Sequence, residues 1–200
     1  TSMELTTSGS ANTAVGATSM RSNTSGEQNT AVGYSALYSN TTYGAHSAFG
    51  RDALFSNVGE ANTCMGHSCF RLNTTGSHNV SVGYFAGHTL VTANSNVSGS
   101  SNTYIGFNSG PGSTTQLTNS GCIGANCRVT TSNAFVIGST VNAVNVGIGT
   151  VGPATKLHMS SGTMTLDGTT PQIIISSITA QTIASGNTIT ANACGGTKYI

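Results

Sequence analysis

Short apolar stretches return along this chain at a spacing far longer than any helix or strand period, and each is closed by a glycine. The closing residues Gly16, Gly33, Gly50, Gly66 and Gly83 lie 17, 17, 16 and 17 residues apart. Looser copies end at Gly106, Gly124, Gly138 and Gly149. The position before the glycine is apolar every time: Val15, Val32, Phe49, Met65, Val82, Ile105, Ile123, Ile137 and Ile148. Four residues after it stand Met20, Leu37, Leu54 and Phe70, until Gly87 interrupts the column. These two columns are expected to form the core. Mostly small residues fill the columns two before and three after the glycine (Ala14, Ala31, Ala48; Ser19, Ala36, Ala53, Ala86), which implies a tight interior or a close backbone approach.

Four residues before the glycine come Asn12, Asn29, Asn62, Asn79, Asn102 and Asn145, with His46 replacing Asn once. Asn side chains stacked at one corner of successive coils can bond to one another and to the turn backbone, forming a ladder. Segments such as NTSGEQ (23–28) and NTTGSH (73–78) carry turn chemistry between short strands. A helix is excluded, because Gly, Asn, Ser and Thr recur throughout and nothing persists at a 3.6-residue period. Each phrase therefore reads as one coil of an all-β solenoid, with coils of about 17 residues stacked about 4.8 Å apart. Nine coils would make a rod on the order of 40 Å long. Two large apolar positions per coil make a thin core. Three such rods around one axis would bury more surface per chain, so a homotrimer is expected.

Composition narrows the class further. Only 6% of the 200 residues are charged, the net charge is +1, Trp is absent and Gly numbers 26. Electrostatic capture of nucleic acid or of an anionic membrane is not expected at that charge. No apolar run approaches the roughly 18 residues that span a bilayer. Low charge with abundant Ser, Thr, Asn and Gly would otherwise imply disorder, but periodicity this strict argues against it. No signal-peptide pattern opens the chain, which reads as a mature product or a fragment of something longer.

Candidate chemistry is sparse. Cys64, Cys69, Cys122 and Cys127 form two copies of C-[MI]-G-x-x-C in which both cysteines replace the small columns flanking the glycine. Disulfides Cys64–Cys69 and Cys122–Cys127 are expected. The alternatives are buried thiols acting as slightly larger alanines, or a metal site, for which no His accompanies both pairs at ligand spacing. Oxidised pairs would point outside the cytosol, and Cys194 is left free or for a bond between chains. The five His (46, 67, 78, 88 and 158) show no H-x-H or HExxH arrangement, so structural roles are expected rather than a metal on a trimer axis. Two outward columns are richer: Arg21, Tyr38, Phe55, Arg71 and His88 five residues after the glycine, and Ala17, Tyr34, Arg51, His67, Tyr84 and Phe107 one residue after it. Such stripes either stack on sugar rings or a partner fibre, or pack between chains with cation–π contacts. The sequons at Asn23, Asn40, Asn73, Asn79 and Asn96 occur at the frequency chance provides in so Asn- and Thr-rich a chain. The carboxylates Glu4, Glu27, Asp52, Glu60 and Asp167 sit at unrelated points of the pattern, and neither a Ser-His-Asp order nor a phosphate loop stands out. No enzyme activity and no cofactor are expected.

The phrases NTAVG, HSAFG, NTCMG, NVSVG and NTYIG resemble the coil motif of the left-handed parallel β-roll in the heads of trimeric autotransporter adhesins, whose coils are usually a few residues shorter. A nearer likeness is to repeat-bearing fibre proteins of phages, large viruses and some bacteria, where NTAVGYxAL coils run into a segment like NVGIGTxxPxxKLHV. Residues 145–159 read NVGIGTVGPATKLHM, and the likeness covers roughly residues 8–160. In that family a self-cleaving chaperone of the endosialidase type often follows, and no such domain is legible before Ile200. The resemblance implies a left-handed, trimeric, extracellular and non-enzymatic fibre.

The expected organisation is a lead-in at residues 1–10, regular coils at 11–90, irregular coils at 91–149, and a linker with a small C-terminal β unit or neck at 150–200. The excursions at 91–102 and 108–121 are the loops where a binding surface would most readily be grafted. The leading functional expectation is a rigid trimeric shaft of a virion fibre or cell-surface appendage, with a cell-surface glycan or receptor as partner. The alternatives are a polymerising filament subunit and an ice-binding solenoid carrying Thr13, Thr30, Thr63 and Thr103 in rank, interrupted by Ser47 and Val80.

Overall fold

The structure, a computed structural model, describes residues 1–139, 145–148 and 150–159. Each coil gives two or three residues to a strand, because the glycine that follows turns the chain away. In chain order the strands are β1 (Thr13–Val15), β2 (Thr30–Val32), β3 (Ser47–Phe49), β4 (Thr63–Met65), β5 (Val80–Val82), β6 (Thr103–Ile105), β7 (Gly110–Pro111), β8 (Gly121–Ile123), β9 (Arg128–Val129), β10 (Phe135–Ile137), β11 (Val146–Ile148) and β12 (Leu157–Met159). Strands β1 to β6, then β8 and β10, line up in that order as one eight-stranded sheet. Every pairing is parallel and column-true: Thr13 lies beside Thr30, Ala48 beside Cys64, and Ile105 beside Ile123. Two short parallel pairs, β7 with β9 and β11 with β12, complete the strands. Parallel neighbours consecutive in sequence require the chain to circle once between them. The result is an all-β solenoid of about seven turns, with coils of about 17 residues. A single 3-10 turn, Thr92–Asn94, is the only helical element among the described residues.

The closing glycine is required twice over. Its φ runs from +112° at Gly138 to +144° at Gly66, a region that side chains avoid. A Cβ on Gly50 would also lie 2.4 Å from the carbonyl oxygen of Gly66 in the next coil. The chain then bends through two further left-handed positions. Ser35 and Leu37 (φ 55° and 52°) and Asp52 and Leu54 (54° and 53°) show the pattern. A large apolar residue in that conformation costs on the order of 1 kcal/mol, which burial of a leucine side chain at about 2 kcal/mol outweighs.

The core is narrower than the sequence pattern implies. Three residues per coil fill it: Ala31, Ala36 and Leu37, then Ala48, Ala53 and Leu54, then Cys64, Cys69 and Phe70, all fully buried. Met20 is likewise buried. The column before the glycine, Val15, Val32, Phe49, Met65, Val82 and Ile105, is expected in the core and instead lies on the outer face of the sheet. Val15 is 56% exposed, Met65 50% and Phe49 40%. Strand alternation is the reason: successive side chains point to opposite faces. The middle residue (Ala14, Ala31, Ala48, Cys64, Ser81, Tyr104, Cys122) points inward, so its neighbours must point out.

Gly87 marks a repair within the core. A Cβ there would lie 2.3 Å from the Phe70 ring, which occupies the volume a leucine holds in neighbouring coils. From the other side Tyr104 replaces the usual alanine, meets Phe70 edge-on at 5.9 Å, and shares a hydrogen bond of 3.1 Å with the Ser120 hydroxyl. Burial pushes the Tyr104 phenol up to about 12. Beyond β5 the coils become irregular: the Asn79–Asn102 repeat spans 23 residues and Asn119–Asn133 spans 14. The expected C-terminal β unit lies, beyond Met159, outside the described residues, as does Cys194.

Candidate functional site

One corner of each coil is held by amides. The backbone N–H of Asn29 donates to Asn12 Oδ1 at 3.0 Å, that of Asn79 to Asn62 Oδ1 at 2.9 Å, and that of Asn102 to Asn79 Oδ1 at 2.9 Å. The Nδ2 groups turn to carbonyls of the opposite turn, as from Asn62 to Gly76 at 2.8 Å. A second ladder runs beside the first. Asn40 Nδ2 donates to Asn23 Oδ1 (3.0 Å), Asn73 to Asn57 (2.7 Å), and Asn96 to Asn73 (3.0 Å). The five residues of this second ladder, Asn23, Asn40, Asn57, Asn73 and Asn96, are fully buried. Four of them stand in sequons, and with buried Asn79 all five sequon side chains are sealed inside the coil.

His46 occupies an Asn place in the first ladder and is 1% exposed. Its Nδ1 accepts the Asn62 backbone N–H at 3.1 Å, doing the work of an Asn oxygen, so the neutral ring carries its proton on Nε2. Burial holds its pKa down at about 4. The ring also interrupts the second ladder. Asn57 Nδ2 stands 3.1 Å from His46 Nε2, and Asn40 Oδ1 is buried without a partner.

The four cysteines meet in pairs, Cys64 with Cys69 and Cys122 with Cys127, each bridging 5.8 Å between Cα atoms. Each disulfide closes the two small columns of one coil across the core. No group of three or more His, Cys, Asp and Glu side chains able to hold a metal occurs among the described residues.

The aromatic and cationic columns form stacks along the rod. Arg21 lies over Tyr38 (5.8 Å), Tyr38 stacks on Phe55 at 4.9 Å with an interplanar angle of 9°, and Arg71 covers Phe55 at 5.2 Å. Arg21 also donates to the Tyr38 hydroxyl at 2.8 Å and pairs with Glu4 at 2.8 Å. In the second column Arg51 lies over Tyr34 (5.8 Å), while His67, Tyr84 and Phe107 stack at 5.1 and 5.8 Å. Phe85 joins His67 to His88, its ring 4.9 Å from that of His88. Burial first, then the Arg71 charge, lowers the pKa of His88 to about 4. The faces of Tyr38 and Phe55 are covered from within their own column, which leaves ring edges to the outside. Asp52 sits between the columns, 3.4 Å from Arg51 Nε and 3.9 Å from Arg71 Nε.

The sheet's outer face is uniform along its length. Val15, Val32, Phe49, Met65, Val82, Ile105, Ile123 and Ile137 stand in one apolar column, beside Thr13, Thr30, Ser47, Thr63, Val80, Thr103, Gly121 and Phe135. No charged residue occurs in either column. Eight strands spaced about 4.8 Å apart give this face a height of about 34 Å.

Repeated coils, amide ladders and in-register parallel strands define a β-solenoid repeat protein. No protein-family model, no curated protein and no solved structure matches the chain.

Proposed function

We propose that this solenoid is the shaft of a homotrimeric, non-enzymatic extracellular fibre, with three left-handed rods sharing an axis that runs along the apolar outer face. The observation that carries this reading is that face itself. It aligns eight apolar side chains in register with no charge among them, Val15, Phe49, Met65, Ile123 and Ile137 each more than a third exposed, and a second and third copy would cover it with like side chains. Two disulfides in so short a repeat array support an oxidising location. The NVGIGTVGPATKLHM segment supports kinship with repeat fibres of phages, large viruses and bacterial surfaces. Attachment to a cell-surface glycan or receptor would then fall to the irregular coils, at whose start Val91 stands exposed beside Leu90.

The test is the mass of the native particle by light scattering or native mass spectrometry. The expected value is about 60 kDa, three times the 20.1 kDa chain. A monomer at tens of micromolar would sink the proposal. It would favour a second reading, ice binding, because Thr13, Thr30, Thr63 and Thr103 share the same outer face in register. Thermal hysteresis of the monomer would establish that reading, whereas open-ended assemblies would indicate a filament subunit.

A further inference from the structure

We propose that adjacent copies join through a polar seam in which the acidic edge of one solenoid meets the cationic, aromatic edge of the next. This rests on the trimeric reading above and names the surfaces that complete it. The apolar face is too small to hold a trimer alone. A strip about 34 Å high and three strand residues, about 10 Å, wide presents roughly 340 Å². A stable interface takes about 800 Å² from each partner. The balance has to come from the two flanks of the strip.

Those flanks are chemically opposite. When three copies turn about an axis parallel to the rods, strand beginnings of one copy face strand ends of the next, and the contact closes after three steps. Before the strands stand Glu27, Gln28, Glu60, Ala61 and His78, all but Ala61 exposed. Glu4 and Asp52 are paired within the chain, whereas Glu27 and Glu60 have no ion pair among the described residues, and both lie on this one edge. After the strands stand Tyr34, Arg51, His67, Tyr84 and Phe107. The Arg51 side chain is 62% exposed, and its one ion pair among the described residues, to Asp52, is a single long contact at 3.4 Å. Its guanidinium is therefore free to take a second carboxylate.

The heights agree as well. Glu27 leads into β2, Arg51 leaves β3, and Glu60 leads into β4. Under a rotation without translation, Arg51 lies one coil, about 4.8 Å, above one neighbouring glutamate and the same height below the other. One cation thus faces the gap between two anions, while Tyr34 and Tyr84, 53% and 46% exposed, supply apolar area on either side of it. In a chain with so few charges, that placement fixes both the rotational order and the axial register of the copies.

A charge-swap cycle tests the seam, read as the midpoint concentration for trimer dissociation by analytical ultracentrifugation of the whole chain. Glu27→Gln serves as the background, so that Arg51 faces Glu60 alone. Arg51→Glu and Glu60→Arg should each raise the midpoint about tenfold or more, through like-charge contact. The pair together should return to within about threefold of the background, the coupling expected of residues in contact. All positions are exposed, and the swap leaves the apolar face untouched. A trimer in which the two changes add without recovery overturns the seam and leaves the trimer standing. A monomeric wild-type chain overturns both.

Discussion

Replacing His46 with Asn should make the solenoid both more stable at neutral pH and less sensitive to acid. In the present structure the imidazole is buried, its Nδ1 accepts a backbone N–H, and its pKa is lowered from 6.5 to about 4 by desolvation. A lowered pKa means that the unfolded chain binds the proton first. The contribution is therefore fully present above pH 6.5, falls by about 1.4 kcal/mol per pH unit, and is lost by about pH 4. The whole span amounts to about 3 kcal/mol. His88 shifts in the same direction, so the wild-type chain should lose more than this, and the difference between the two proteins isolates His46. At pH 7 the gain arises elsewhere. An Asn at 46 could donate to Asn40 Oδ1, as Asn102 donates to Asn96 Oδ1 at 3.2 Å. It would also free Asn57 Nδ2 to rejoin Asn40, as Asn73 joins Asn57 at 2.7 Å. Satisfying one buried acceptor is worth about 1–2 kcal/mol. The assay is urea unfolding at fixed protein concentration between pH 7 and pH 4.5. A His46→Asn protein that is weaker at pH 7, or that loses stability with acid as steeply as the wild type, would refute the account of the ladder.

Two further outcomes follow from the core. Gly87→Ala should destabilise by about 1–3 kcal/mol, because its Cβ meets the Phe70 ring; the same change in a Phe70→Leu background should cost clearly less, and thermal melts of the four proteins of the cycle measure the coupling. Replacing Cys64 and Cys69 together with Ala should leave the fold intact, since Ala48 and Ala53 hold the equivalent columns, and should cost about 2 kcal/mol for so short a closed loop. A melt that does not shift, or a chain that fails to form the solenoid, would contradict that reading.

The period, the parallel stacking and the inward leucine column were legible because glycine is irreplaceable at a left-handed bend and so marks every coil. The column from Val15 to Ile105 is not placed by its apolar character, which signals burial without saying where; strand parity, applied to the small residue between Thr13 and Val15, sends it outward. The second ladder is hidden in the sequence because Asn23, Asn40, Asn73 and Asn96 read equally well as turn residues or sequons. Their constant distance of 10 residues ahead of Gly33, Gly50, Gly83 and Gly106 is the available signal. The aromatic stacks were legible as columns, but the closing of the Tyr38 and Phe55 faces by Arg21 and Arg71 depends on side-chain geometry that spacing does not carry.

Column-true stacking has a consequence for heredity. Because Thr30 sits beside Thr13 and Gly33 beside Gly16, any duplication or loss of one whole coil returns every side chain to a column of its own kind. Length is then a countable trait, changed in steps of about 4.8 Å by unequal recombination between near-identical stretches of gene. A lineage carrying such a rod could retune its reach without first having to reinvent its cross-section.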